Sequence, residues 1–165
     1  PGAGTAYTAT VWGLTACGGP ADKTLMLAGR SRQFHTYNAR GAGLNDERDD
    51  GTLCPTAVGG SVPFAPEITI PALLAMNTTY GGKLYQTYGF LDAFNPTFTA
   101  QGQQAVGTVD PQLGWFDVDY LGIDQGPILI MIENYRTGFV WNVMKTNAHI
   151  VRGLQRAGFT GGWLP

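Results

Sequence analysis

Three features of this sequence predict an all-α protein that carries its function in long loops. The stretch Gly122-Ile123-Asp124-Gln125-Gly126-Pro127-Ile128-Leu129-Ile130-Met131-Ile132-Glu133-Asn134-Tyr135-Arg136 passes through five consecutive apolar residues and closes on four polar ones. Residues 68–79 place Ile68, Leu73, Leu74 and Met76 on one side of a helix that stops at Gly81-Gly82. Between such segments lie Gly- and Pro-rich connections that contain no strand of useful length. Residues 137–145, with Phe139, Val140, Trp141, Val143 and Met144, and about 148–157, ending at Gly158, read as two further helices.

The 122–136 helix organises the remainder. A helix apolar on every side is buried on every side, so the polar groups at its ends need internal partners or a cavity. Asp124 has the chemistry of an N-cap, accepting free N–H groups of the first turn, and Pro127 falls where a missing N–H loses nothing. Asp124 is therefore either a cap or a site residue. Glu133 and Arg136, three apart, form either an internal ion pair or part of a ligand pocket. Pro71 is expected in the first turn of the earlier helix. Glu67 lies near that helix's positive end and serves either as a helix-terminal stabiliser or as a ligand-facing acid. A short helix is expected over Lys83 to Tyr88.

Composition limits the function classes. The chain has 165 residues, enough for one domain with a core, with 13% charged and 44% hydrophobic residues, Gly 24 and Pro 10. That is loop-rich and lightly charged. A net charge of -2 and scattered Lys and Arg give no electrostatic footprint for nucleic acid. No apolar run is long enough to cross a bilayer, so no membrane partner is expected. The N-terminus, Pro1-Gly2-Ala3-Gly4, lacks a methionine and a signal-like region, so the chain reads as a fragment or a processed product.

Cys17 and Cys54 each sit in a Gly/Pro-rich loop, and disulfide and free thiols both remain open. His35 and His149 are the imidazoles of the chain, neither at ligand spacing from a cysteine, so no zinc, no other metal and no cofactor is expected. A basic patch, Arg30, Arg32 and Arg40, precedes the acidic run Asp46-Glu47-Arg48-Asp49-Asp50-Gly51. That run fails the EF-hand pattern, with Arg48 at the third ligand position and Ala57 where the bidentate Glu belongs, and reads as a solvated loop.

The segments Tyr88-Gly89-Phe90-Leu91-Asp92-Ala93-Phe94-Asn95-Pro96 and Gly114-Trp115-Phe116-Asp117-Val118-Asp119-Tyr120 mix aromatics with carboxylates and amides. Such mixtures suit sugars, whose C–H-rich faces stack on aromatic rings while hydroxyls bond to polar side chains, although aromatic loop anchors would look similar.

At these residues the chain resembles a known family. Trp12-Gly13-Leu14-Thr15-Ala16 with Gly19-Pro20, Pro55-Thr56-Ala57 with Gly59-Gly60-Ser61, and Pro63-Phe64-Ala65-Pro66-Glu67 are the first blocks. Tyr88-Gly89-Phe90 with Asp92-Ala93-Phe94-Asn95, then Asp124-Gln125-Gly126-Pro127 with Glu133-Asn134-Tyr135-Arg136-Thr137-Gly138, complete them in order. Together they resemble the C-terminal part of the bacterial glycoamylase-like family, which includes endo-β-1,2-glucanases. The 21–50 loop and the last dozen or so residues fall outside the resemblance.

The resemblance implies part of an (α/α)6 toroid of helical hairpins, with this chain the C-terminal portion of a single catalytic domain. It also implies an anomer-inverting hydrolysis of β-glucan, most readily β-1,2-glucan, in which one carboxylic acid protonates the leaving oxygen and a carboxylate activates water. Asp124 and Glu67 are then the catalytic carboxyls of this chain, Asp124 on the base side, with the family's general acid expected upstream of Pro1. Asp92, Asn95, Gln125, Glu133, Asn134 and Arg136 would bind hydroxyls, and Trp12, Trp115 and Tyr120 would stack on sugar rings. The partner is an oligo- or polysaccharide, met outside the cytoplasm, so a periplasmic or secreted protein is expected. A non-catalytic glucan-binding or structural module is the alternative.

Overall fold

The computed structural model describes residues 7–41 and 49–164. The sequence N-terminus, with Pro1 to Gly4, and Asp46, Glu47 and Arg48 of the acidic run lie outside the described residues.

Among the described residues there are five α-helices: α1 (Pro55–Gly59), α2 (Pro66–Tyr80), α3 (Gly122–Thr137), α4 (Phe139–Lys145) and α5 (Ala148–Arg156). Nine short strands accompany them, which corrects the all-α expectation to a mixed architecture: β1 (Ala16–Cys17), β2 (Lys23–Leu27), β3 (Arg30–Phe34), β4 (Asn38–Ala39), β5 (Tyr85–Gln86), β6 (Gly89–Phe90), β7 (Phe94–Asn95), β8 (Thr108–Asp110) and β9 (Gly114–Phe116). They form three two-stranded ladders, β1-β4, β2-β3 and β5-β6, and a three-stranded antiparallel sheet in the order β7-β9-β8.

The physical reason for the correction is legible strand by strand. β7 and β9 are buried along their whole length, so no alternation marks them as strands. The β2–β3 hairpin turns through Ala28 and Gly29, both at positive φ, the backbone that matches the twist of paired strands but lacks the usual Asn-Gly signal. Lys83 to Tyr88 is not a helix: a one-turn 3-10 segment, Gly81–Lys83, leads into β5.

The other helices of the sequence reading stand, with shifted ends. α2 opens on Pro66, a residue suited to the first helical position, and Pro71 falls in the second turn rather than the first. There it has no N–H for the Glu67 carbonyl. α3 starts at Gly122, capped by the extended backbone of Leu121, whose carbonyl accepts from the N–H groups of Asp124 and Gln125 at 3.0 Å each. Asp124 is a first-turn residue and not the cap. Gly138, left-handed at φ 69°, ends α3 and donates to the Asn134 carbonyl before α4 begins. α3 is not buried on every side: Ile123 is 79% and Leu129 71% exposed.

Two buried clusters make the core. One packs Ala72, Met76 and Tyr80 of α2 on Leu53, Phe90, Phe94 and Phe116. The other gathers Phe34, Ala93, Phe98 and Trp115 around Cys17 and Cys54. The two cysteines are joined as a disulfide. Arg40 and Asp50 form a buried ion pair at 2.7 Å, so Arg40 leaves the basic patch and Asp50 leaves the expected solvated loop. An unpaired charge there would be destabilising; each is instead multiply bonded, with Asp50 accepting from the backbone of His35 and Thr52.

The disulfide closes a loop with a sequence separation of 37, for which chain entropy gives about 4 kcal/mol of stabilisation. Replacing both cysteines by serine, or adding reductant, is expected to lower the thermal midpoint, measured by circular dichroism; an unchanged midpoint would place the disulfide's contribution near zero.

Candidate functional site

A cavity of about 400 Å³ lies where α1, the start of α3 and the β1 and β4 strands meet. Its lining includes Thr15, Cys17, Tyr37, Thr56, Ser61, Asp92, Leu121, Ile123, Asp124 and Pro127. Asp92 and Asp124, separated by 32 positions, therefore share one concavity.

Backbone pairing brings the acids together. The Asp92 N–H donates to the Asp119 carbonyl and the Asp117 N–H to the Ala93 carbonyl, both at 3.0 Å, which extends the β7–β9 pairing past its end. Asp92 and Asp117 are thereby set on adjacent backbone segments. Asp124 is delivered by the first turn of α3, and that turn is fastened to α1 by Thr56 Oγ1, which donates to the Asp124 carbonyl at 3.1 Å. α1 and α3 meet closely at Gly59, where an added Cβ would come within 2.7 Å of Ile128 Cγ1.

Gly18 supplies the polar link. Its N–H donates to Asp92 Oδ2 at 2.7 Å, and its carbonyl accepts from Arg40 Nη2 at 3.0 Å. The same Arg40 nitrogen bonds the Thr36 and His35 carbonyls, and its other terminal nitrogen holds Asp50. A buried ion pair thus orients a peptide group that in turn orients a carboxylate.

The electrostatics follow from crowding. Asp124 is only 5% exposed, and burial is the first cause that pushes its carboxyl up to about 7. The charge of Asp92, a side-chain hydrogen bond with Asp92 and the charge of Asp117 act in the same direction. A helix N-terminus favours a carboxylate by about 0.3–1 kcal/mol, and here that contribution loses to burial and like charge. Asp117 is also raised, chiefly by burial and then by the charges of Asp92 and Asp119, against the pull of the Val118 N–H. Asp92 Oδ1 and Asp124 Oδ2 are buried and have no hydrogen-bond partner among the described residues. A ligand hydroxyl or a water could satisfy both.

The other expected site residues take different places. Glu67 is exposed in the first turn of α2 and does not line this cavity. Trp115 cannot stack on a ligand: it is 0% exposed, and its Nε1 donates to the Val106 carbonyl. Asn95 is likewise internal, donating to the Asp50 carbonyl and Thr52 and accepting from Thr97, so its amide is committed to folding. Gln125 ties α3 to β6 through Nε2 to the Phe90 carbonyl at 2.6 Å. Asn134 is buried and its Oδ1 accepts from the Trp141 N–H in the first turn of α4. Glu133 and Arg136 form the i,i+3 ion pair at 3.4 Å, with Arg136 exposed, so the plain helical reading applies to them. Trp12 is half-buried against the first core cluster. Tyr120 leans edge-on against Tyr88 with ring centroids 5.4 Å apart, and its hydroxyl bonds Gln86.

Asp117, Gly18 and Tyr37 were not singled out from the sequence. Asp117 and Asp119 lie two apart, and nothing in composition separates the acid that turns inward from its neighbour. Gly18 looked like an ordinary turn glycine. Its lack of a side chain matters: a Cβ there would lie 2.4 Å from Asp117 Oδ2 and 2.9 Å from Asp92 Oδ2. Among the described residues no group of three or more His, Cys, Asp or Glu could hold a metal ion.

An acid-lined, half-open cavity beside loops rich in aromatics is the kind of site that serves carbohydrate chemistry. Comparison with known proteins makes the class specific. Residues 1–148 match the Glycoamylase family model, described as "Putative glucoamylase", and the chain belongs to that family. It is 33% identical over 109 residues to an exo β-1,2-glucooligosaccharide sophorohydrolase (non-reducing end) of Parabacteroides distasonis, which covers 66% of this chain and 13% of that protein. Its structure is similar to an endo-β-1,2-glucanase of Chitinophaga pinensis in complex with sophorotriose and glucose, at TM-score 0.71 and 30% identity over 96% of this chain and 31% of that one. A β-1,2-glucanase of Parabacteroides distasonis gives TM-score 0.67 and 30% identity over 93% of this chain and 18% of that one. The chain thus spans about a third or less of the length of these relatives.

Two outcomes follow from the acid cluster. The raised Asp124 carboxyl holds a proton in the folded state that the unfolded chain has already released, so stability falls as pH rises from the ordinary carboxylate range to about 7. Urea midpoints measured across that range should show the decline, and Asp124→Asn should flatten it. Asp92→Asn removes a like charge and is expected to lower the Asp124 titration midpoint, observable by carboxyl NMR; no movement would mean that Asp92 does not contribute to it.

Proposed function

We propose that this chain forms part of a glycoside hydrolase acting on β-glucan, most specifically β-1,2-glucan, and that Asp124 is the general base of an inverting hydrolysis. The observation that carries the reading is a single cavity holding a buried carboxyl pushed up to about 7, where a base gains proton affinity while remaining ionised at neutral to mildly alkaline pH. The activities of the relatives support the substrate class.

The mechanism assigns Asp124 to accept a proton from the attacking water as that water adds to the anomeric carbon. Asp92 tunes Asp124 through charge and stays oriented by the Gly18 N–H. Asp92 is not the acid of the pair. Inverting hydrolases keep their two carboxyls roughly 6.5–9.5 Å apart to admit water, whereas Asp92 and Asp124 stand at hydrogen-bonding range. The proton for the leaving oxygen therefore comes from a further acid, supplied in this proposal by the remainder of a complete (α/α)6 toroid. The length of the relatives supports that, as do Ile68 and Leu74 of α2 and Ile123, Leu129 and Ile130 of α3, apolar side chains left exposed where further helices would pack. The Cys17–Cys54 disulfide supports a periplasmic or secreted location, since such bonds persist in oxidising compartments.

Full-length protein from the source organism, incubated with β-1,2-glucan, should release reducing ends, and Asp124→Asn should cut the rate by about 100-fold or more while glucan binding persists. The wild-type rate should rise with pH through about 7 on the acid side of its profile. Unchanged hydrolysis by Asp124→Asn removes this residue from the chemistry; binding without cleavage by the wild type would make the protein a glucan-binding module.

A further inference from the structure

We infer that Tyr37 is a sugar-stacking residue at the mouth of the Asp92–Asp124 cavity, and that the β3–β4 segment bearing it helps decide which glucan enters. The inference rests on the reading of that cavity as a glucan site.

Tyr37 lines the cavity and is 72% exposed. A large aromatic ring left in solvent beside a cavity that holds two carboxyls has apolar surface to cover and a face to offer, which is what a pyranose ring needs from a platform. The other aromatic candidates are engaged elsewhere: Tyr88 and Tyr120 pack edge to face on each other, Trp12 packs against the first core cluster, and Trp115 is interior. No aromatic pair among the described residues includes the Tyr37 ring.

The backbone under Tyr37 is braced on both sides. Before it, the Thr36 N–H and Oγ1 both donate to Asp22, at 3.0 and 2.7 Å, and the Thr36 carbonyl accepts from Arg40. The His35 N–H donates to Asp50 at 2.9 Å. After it, Asn38 pairs with Cys17 in the β1–β4 ladder. The ring therefore rides on the ion pair that also orients Gly18, and through Gly18 the Asp92 carboxylate. The backbone of the platform and the Asp92 carboxylate share one support, which limits the ordering cost of binding.

The cavity also has an apolar side, Leu121, Ile123 and Pro127 at the start of α3, while its carboxylates come from Asp92 and Asp124. A sugar ring is amphipathic in the same sense, with C–H faces and hydroxyl edges.

The test measures KM and kcat of the full-length protein on β-1,2-linked glucooligosaccharides, and Kd in the Asp124→Asn background, for Tyr37→Ala and Tyr37→Phe. Loss of a stacking face should raise KM and Kd roughly tenfold in Tyr37→Ala, with a smaller effect on kcat, while Tyr37→Phe retains most of the affinity. The acid limb of the pH profile should not move, because Tyr37 touches neither carboxyl. Circular dichroism guards against a folding effect. If wild type cleaves the glucan and Tyr37→Ala matches it in KM and Kd, the stacking inference alone is overturned; equal damage from Phe and Ala overturns it in favour of a hydroxyl contact. If wild type neither binds nor cleaves the glucan, the reading of the site falls and this inference falls with it.

Discussion

Two carboxyls brought together inside a protein repel, and this fold is arranged to hold them there. Asp92 and Asp124 are placed by different parts of the chain, one by an extension of β7–β9 pairing and the other by the first turn of α3. Apart from the hydrogen bond that a protonated Asp124 shares with Asp92, nothing in the pair itself keeps it together. The restraint is external: the Gly18 N–H on Asp92, the Arg40 guanidinium on the Gly18 carbonyl, and Asp50 neutralising Arg40. Burying Arg40 and Asp50 is costly unless the geometry is good, and the bonds to five backbone groups around them supply that geometry. The disulfide joins the two sides of the support, since Cys17 adjoins Gly18 and Cys54 precedes α1, which fastens Asp124.

The sequence was informative where period and punctuation agree. α2, α4 and α5 lie close to the segments read from apolar spacing and from the stops at Gly81 and Gly158. It was uninformative where an element is too short for any period. Two- and three-residue strands such as β7 and β9 owe their existence to partners far along the chain, which local propensity does not encode. α3 illustrates a different failure. Its apolar run is real, but a run says only that a helix avoids water, not that every side is covered within the same chain, and Ile123 and Leu129 are left exposed.

The candidate site was half legible for a related reason. Asp92 and Asp124 stood out because each sits in a motif, and the cavity contains both. Asn95, Trp115 and Gln125 sat in motifs too, yet their polar atoms are spent on the Asp50 carbonyl, the Val106 carbonyl and the Phe90 carbonyl. A motif identifies residues that a fold family needs without saying whether the need is structural. Hydrogen-bond partners distinguish the two: a buried amide or indole whose donors are all internal has nothing left for a ligand, whereas Asp92 Oδ1 and Asp124 Oδ2 remain unmatched.

That contrast also argues for the division of labour between the acids. Asp92 Oδ2 is already bonded to a backbone N–H, which fixes its position, while its charge raises the neighbour. Asp124 takes no N–H from its own helix terminus despite sitting in the first turn, so it forgoes the bonds that would hold a carboxylate in its ordinary range. An acid placed where a cap would be easy, yet left uncapped, buried and facing a like charge, is poorly explained by helix stability alone. Its environment suits a group that gains and loses a proton near neutrality, and a neighbour that is pinned in place keeps such a group's affinity for that proton constant.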